Sequence, residues 1–329
     1  MRLVMMGTGT FAEPTFLALI AAGEEVVGLV TQPERDAGSK RGSTRQTGLG
    51  MANIAANAGI PVIQPDSINT PEGVAALRAF DPDLLVVAAY GQILKPDVIA
   101  APEFGAINVH ASLLPKYRGA SPIAHAIRAG ETQSGVTIIR ISLGLDAGEM
   151  LSREALAIDP GETTGELEAR LGPLGARLCL GVIRAMKLGP VAGTVQDAAL
   201  VTKAPKFKKE HGLIDWSKPA PEIVNHIRAM QPWPTAYSFF LRPGQTPMRV
   251  IISRATATAG EPGVPGTVLA GLQISTGDGL LQIDELQPAG KKKMFAAEFL
   301  RGYPVQLGYR FGGDAPGGTE VPQDNLSQS

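Results

Sequence analysis

The chain has 329 residues, 44% of them hydrophobic and 19% charged, with 39 Gly, 26 Pro and a formal net charge of −1. That length and apolar content support about two domains of ordinary size, and the Gly and Pro share falls short of a low-complexity chain. A single cysteine, Cys179, excludes an intrachain disulfide framework and a multi-cysteine zinc or iron–sulfur site, and four histidines argue against a histidine-rich metal site.

The N-terminus reads RLVMMGTGT and carries neither a secretory signal nor an Arg-rich transit segment. The longest apolar runs, such as residues 84–90, fall far below the ~18 residues that cross a bilayer, so a soluble, cytoplasmic protein is expected. Residues 2–7 read as a buried strand. Helical spacing follows from Pro14 to Gly23, with Phe16, Leu17 and Ile20 on one side and Gly23 as the stop. Residues 25–31, 60–64 and 83–90 are further buried strands, and 49–59 and 71–80 are helices between them. This alternation implies a parallel sheet covered on both faces. Residues 105–110 and 134–142 continue the sheet around a helix at 121–130. A long amphipathic helix over 163–189, interrupted near Gly172-Pro173, closes the domain. Cys179 in ARLCLGVI reads as a small buried core residue.

Around 190–220 the texture turns to Pro, Gly and Lys, as in a linker. A short helix is expected over 221–231, then strands, with Asp278-Gly279 as a hairpin signal. The expected organisation is a catalytic domain over 1–189, a linker over 190–206, a small antiparallel β-barrel over 207–311 and a disordered tail over 312–329. Charge is uneven. Residues 1–202 hold 16 Lys+Arg against 20 Asp+Glu, and residues 203–310 hold 14 against 8, which points to a polyanion partner for the C-terminal half.

GTGTFA over 7–12 fits a G-x-G-x-x-A dinucleotide turn. However, the second strand ends Thr31-Gln32-Pro33, without the ribose-binding acid, so a plain strand–helix turn is favoured and a nicotinamide oxidoreductase is the weakest reading. NVHASLLPKYRGASPI over 108–123 is richer. Asn108 and His110 are two apart at the end of a strand and face the same side. Asp146, between Gly144 and Gly148, is either a turn residue or a carboxylate that orients or protonates the His110 imidazole. An Asn, a His and an Asp without a nucleophilic Ser or Cys suit direct acyl transfer to an amine. Asn108 would donate to the oxyanion and His110 would relay protons near neutral pH.

The stretches MGTGTFAEP (6–14), TQPERDAG (31–38), NVHASLLPKYRGASPI (108–123), GLDAGEM (144–150), APKFKKEHGLIDW (204–216), IRAMQPWPTAY (227–237) and LQPAGKKKM (286–294) resemble the bacterial methionyl-tRNA formyltransferases across about residues 1–310. The resemblance implies a Rossmann-like α/β formyltransferase domain with a parallel-type sheet, joined to a C-terminal β-barrel of the OB type. It implies 10-formyltetrahydrofolate as donor and initiator methionyl-tRNA as acceptor, with no metal, membrane or protein partner. Asn108, His110 and Asp146 match the family's catalytic trio, and Ser112, Leu113, Leu114 and Pro115 match its folate-binding stretch.

The loop over 34–48 is polar and long for a connection. Its Arg35, Lys40, Arg41 and Arg45 fit the family's tRNA-gripping insertion, Arg41 foremost, although the family's Ser-Pro-Val-Lys stretch is replaced here by LGMANIA. Lys203, Lys206, Lys208 and Lys209 in the linker, and Lys291, Lys292 and Lys293 in the barrel, supply further phosphate contacts. Trp216 and Trp233 read as packing anchors. A sugar-nucleotide formyltransferase and an RNA-binding module with an inactive N-terminal domain are the alternatives. Neither accounts for both the trio and the basic segments.

Overall fold

The computed structural model describes residues 1–33, 48–306 and 308–313. The chain divides into two compact units, Met1–Lys208 with Ala229–Trp233, and Lys209–Arg228 with Pro234–Ser329. Among the described residues no helix is long and apolar enough to cross a membrane.

The first unit runs β1 (Arg2–Gly7), α1 (Glu13–Ala21), β2 (Glu25–Val30), α2 (Met51–Asn57), β3 (Val62–Ile63), α3 (Pro71–Arg78), β4 (Leu84–Ala88), α4 (Pro96–Ile99), β5 (Ala106–His110), α5 (Pro122–Arg128), β6 (Gln133–Arg140), β7 (Met150–Ala157) and α6 (Thr164–Leu188). Its described strands form a seven-stranded sheet in the order β3-β2-β1-β4-β5-β6-β7. The strands from β3 to β5 pair in parallel. Leu3, Val4, Met5 and Met6 on β1 and Leu84, Leu85, Val86 and Val87 on β4 are all buried, as strands covered on both faces require.

Three expectations need correction. First, β6 and β7 are antiparallel to their neighbours. The chain re-enters the sheet at the end of β5 from which it left, after a loop and the seven-residue α5. The strand β7 has no continuous apolar run, which is why the sequence pattern passes over it. Second, α1 buries Thr15, Phe16 and Leu19, while Leu17 is 40% exposed. Third, α6 runs unbroken through Pro173. A proline inside a helix costs about 3 kcal/mol, but this helix buries Leu167, Leu171, Leu178, Cys179, Val182, Ile183 and Met186. At roughly 1.5–3 kcal/mol per large buried side chain, packing outweighs the defect. Burial also pushes the Cys179 thiol up to about 12, so it is an inert core group.

The second unit holds most of α7 (Ala220–Ala229), then β8 (Tyr237–Leu241), β9 (Met248–Thr258), β10 (Gln273–Ser275), β11 (Leu280–Pro288), β12 (Met294–Phe295), α8 (Ala296–Gly302) and β13 (Arg310–Gly312). Its described strands form a six-stranded sheet in the order β10-β11-β9-β8-β13, with β12 on β11, and every pairing is antiparallel. The segment at Gly266–Val268 bonds to both edges. Gly266 N–H donates to Ser275 O at 2.8 Å, and Phe311 N–H donates to Gly266 O at 2.8 Å. This nearly closes a barrel around Phe240, Ile252, Ile283, Phe299 and Phe311. Asp278-Gly279 sits in the β10–β11 turn, where Gly279 has φ +76°. Trp216 is 5% exposed and donates to Ser238 Oγ at 2.9 Å, as a packing anchor does.

Candidate active site

In the first unit a cleft of about 700 Å³ opens where the strand order reverses between β1 and β4, the place open α/β sheets offer to ligands. Phe11 after β1, residues 89–94 after β4, Asn108 and His110 on β5, and residues 141–146 after β6 all line it. The period of two along β5 therefore turns both polar side chains into one cavity.

Because β6 is antiparallel, the loop carrying Asp146 leaves at the far end of β5 and doubles back. Its backbone turn is tight. Asp146 has φ 49°, a left-handed value that Asp tolerates. A Cβ on Gly148 would lie 1.7 Å from Arg140 O, so only glycine fits there. Asp146 Oδ1 accepts from Asn108 Nδ2 at 3.4 Å, and Oδ2 accepts from the Gly119 N–H at 2.8 Å. His110 Nδ1 lies 3.7 Å from Asp146 Oδ2, with the two side chains 5% and 12% exposed.

His110 Nε2 is 3.0 Å from Tyr117 O. A carbonyl only accepts, so the hydrogen-bond network assigns the ring hydrogen to Nε2. Nδ1 is then the nitrogen that accepts a proton, and it does so beside a carboxylate. Asn108 uses one amide hydrogen on Asp146, which leaves the second for a developing oxyanion in the cleft.

A residue without a sequence signal holds this arrangement. Gln196 is 7% exposed and donates from Nε2 to Asp146 O at 2.7 Å and Gly148 O at 2.8 Å. Arg118 fixes its amide by donating to Oε1 from Nε at 3.0 Å and from a terminal guanidinium nitrogen at 2.8 Å. Gln196 lies in the Gly- and Pro-rich stretch, where no periodicity marks it.

Ser112, Leu113, Leu114 and Pro115, expected from the resemblance to contact folate, do not line the cleft. Ser112, Leu114 and Pro115 are buried, and Ser112 Oγ donates to Lys116 O at 2.7 Å. Thr137 on β6 donates to Ser112 O at 2.7 Å and accepts from the Leu114 N–H at 3.1 Å. The stretch is thus tied to β6, and the apolar lining includes Val87, Tyr90, Leu94, Ile139 and Ile141. Trp233 also lines the cleft. The Gly7–Ala12 turn is occupied by local bonds: Thr8 pairs with Thr31, and the Thr10 hydroxyl donates to Glu168.

Among the expected tRNA contacts, Arg35, Lys40, Arg41 and Arg45 lie outside the described residues. Lys206, Lys208 and Lys209 are exposed, and Lys206 lines the cleft.

The formyl transferase family model matches residues 1–183, and its C-terminal domain model matches 206–304. The methionyl-tRNA formyltransferase of Citrifermentans bemidjiense is 44% identical over 94% of this chain and 95% of its own length. That of Geotalea uraniireducens is 42% identical over 94% and 97%. Among solved structures, the sugar 3N-formyl transferase WlaRD, crystallised in the presence of dTDP and 5-N-formyl-THF, superposes with a TM-score of 0.63. It is 18% identical, over 89% of this chain and 99% of its own, a likeness of fold.

Proposed function

The chain belongs to the formyl transferase family, and from that premise we infer that it transfers the formyl group of 10-formyltetrahydrofolate to the α-amino group of methionyl-initiator tRNA. The observation that carries this reading is the convergence of Asn108, His110 and Asp146 in one cleft of a chain that matches methionyl-tRNA formyltransferases along almost its whole length.

The reaction joins the amine nitrogen to the formyl carbon and breaks the bond from that carbon to N10 of the folate. Between these events a tetrahedral carbon bears an oxyanion. The second amide hydrogen of Asn108 meets that oxygen, and a donor so placed contributes roughly 3–4 kcal/mol. The nitrogen must shed a proton as it attacks. His110 Nδ1 takes it, and the Asp146 carboxylate stabilises the resulting imidazolium. The same proton then serves the departing N10, so no net proton is consumed.

The cleft volume is within the range of small-ligand sites. Tyr90 is 2% exposed and its hydroxyl has no partner among the described residues, so the heteroatoms of a bound pterin would satisfy it. Ser112–Pro115 supports that pocket. Arg35, Lys40, Arg41 and Arg45, with Lys206, Lys208 and Lys209, meet the tRNA backbone. Lys206 follows the acceptor end into the cleft. A substrate used in translation initiation places the protein in the cytoplasm.

The test is incubation of the purified protein with 10-formyltetrahydrofolate and methionyl-initiator tRNA, with products resolved on an acid gel. Formyl-methionyl-tRNA is the expected product. Its absence at enzyme concentrations equal to substrate would reject the reading.

A further inference from the structure

On α6 the positions Thr164, Glu168, Leu171 and Gly175, spaced by four, three and four residues, share one side of the helix, with Thr164 and Glu168 half-buried. Leu171 is fully buried, and a Cβ on Gly175 would lie 2.6 Å from Cγ1 of Val109, the neighbour of His110. Glu168 stands two turns before Gly175, about 10 Å along the axis. With Thr164, Phe11 and Trp233 it lines the cleft that holds Asn108, His110 and Asp146.

An acid on an inward row needs a reason. The buried acids of this unit have structural ones, and Glu168 itself is half-buried. Glu13 accepts the Leu49 and Gly50 N–H groups at 3.0 and 2.9 Å, and Glu162 accepts from Arg170 at 2.9 Å and from the Asp159 N–H at 3.0 Å. Glu168 receives the Thr10 hydroxyl, a neutral donor. Burial holds its carboxyl above the usual range, and the Thr10 bond only opposes this. A desolvated carboxylate is completed at least cost by a cation.

The acceptor brings a suitable cation. Its methionyl end carries one cationic group, an α-ammonium, next to a thioether chain for which aromatic rings such as Phe11 and Trp233 are favourable partners. We propose that Glu168 docks the α-ammonium group of the aminoacyl acceptor, holding the nitrogen in the cleft; one ammonium proton leaves to solvent to give the free amine, and His110 takes the next as that amine attacks. The proposal rests on the formyl-transfer reading and adds to it a residue that selects for a charged amine.

The experiment compares two ligands on the full-length protein without formyl donor: methionyl-tRNA, and the same tRNA esterified with the α-hydroxy analogue of methionine. The analogue keeps the ester, the thioether and every tRNA contact, and replaces the ammonium by a hydroxyl. Wild-type protein is expected to prefer methionyl-tRNA by on the order of tenfold, the lower end for a hydrogen bond to a charged group. Glu168→Gln should abolish that preference by weakening methionyl-tRNA alone. Unchanged affinity for the analogue then shows that the variant is folded. Glu168→Asp, which keeps the charge, should retain part of the preference.

Equal weakening of both ligands would overturn the proposal and assign Glu168 a structural or ribose-binding role. An undiminished preference in Glu168→Gln would overturn it as well. Formylation by the wild-type protein is measured in parallel. If the wild type forms product while Glu168→Gln keeps the preference, the docking role fails and the transferase reading stands. If the wild type forms none, the reading beneath it fails.

Discussion

Replacing Asp146 by Asn separates charge from shape at the catalytic cleft. Asn is nearly isosteric, accepts the left-handed φ of 49° at this position, and can still receive the Gly119 N–H through its oxygen. What it loses is the negative charge 3.7 Å from His110 Nδ1, in a pair whose side chains are 12% and 5% exposed, together with the weak 3.4 Å acceptor for Asn108 Nδ2. Two unit charges about 4 Å apart at an effective dielectric near 20 attract by about 4 kcal/mol. That energy is realised only when the imidazole is protonated, which is late in the attack. It therefore lowers the barrier without strengthening ground-state binding. Four kcal/mol corresponds to roughly a thousandfold in rate. Asp146→Asn is expected to lower kcat by about that factor, leave KM for methionyl-tRNA within a few-fold, and shift the melting temperature little. Steady-state formation of formyl-methionyl-tRNA on acid gels, with a thermal melt of the same preparation, reads all three. A kcat within tenfold of wild type would refute the reasoning, because the imidazolium–carboxylate pair would then not form in the rate-limiting step.

Asn108→Ala should lower kcat by roughly 10²–10³, the cost of one oxyanion donor, with little change in folate affinity measured by fluorescence quenching. Gln196→Ala leaves the Asp146 and Gly148 carbonyls without their donor and the Arg118 fork without its acceptor. At about 1–3 kcal/mol per buried unsatisfied group it should lower stability by a few kcal/mol in urea titrations. It should also reduce kcat, and a variant with wild-type kcat would show that Gln196 does not position Asp146. Pro173→Ala restores a helix hydrogen bond and should raise stability by about 2 kcal/mol. This is the ~3 kcal/mol helix penalty less the ~1 kcal/mol that proline gains through the unfolded chain. An unchanged urea midpoint would mean that α6 bends at no cost.

The parts of this fold legible in the sequence are those in which one side-chain pattern serves one purpose. Buried parallel strands show as continuous apolar runs, and Leu84–Ala88 is buried throughout. Asn108 and His110 are legible because a strand's period of two fixes their common side. Strand β7 is not, because at the sheet edge its exposed residues dilute the apolar signal. The direction of β6 is not either, since direction depends on where the preceding loop ends and not on strand composition. Gln196 carries no sequence signal for a related reason. It sits in a Gly- and Pro-rich stretch, where position is set by contacts distant in sequence. Glu168 carried a readable signal, an acid on the inward row of an amphipathic helix, and its meaning required the cleft to be seen.

The Lys-rich stretch after Gln196 is irregular yet bound closely to the catalytic loop. Tyr117 N–H donates to Thr202 Oγ1 at 2.8 Å, Arg118 N–H to Thr202 O at 2.9 Å, Ala204 N–H to Arg118 O at 2.6 Å, and Ser121 N–H to Ala204 O at 3.1 Å. A Cβ on Gly119 would lie 2.5 Å from Ala204 O, so the two backbones are as near as glycine permits. Farther along, His125 Nε2 donates to Pro205 O at 3.0 Å and its ring stacks on Phe207 at 4.4 Å, which holds both neighbours of Lys206. The same loop supplies the Tyr117 carbonyl that fixes the His110 tautomer and the Gly119 N–H that holds Asp146. Lys206, proposed to meet the tRNA backbone, and the groups that hold His110 and Asp146 therefore share one hydrogen-bonded ladder. A displacement of about 1 Å in reacting groups can cost a hundredfold in rate, so a pull on residues 202–207 large enough to break that ladder must also disturb His110 and Asp146. For this reason charge at Lys206 and rate at His110 belong to one structural element, although 95 residues of sequence lie between them.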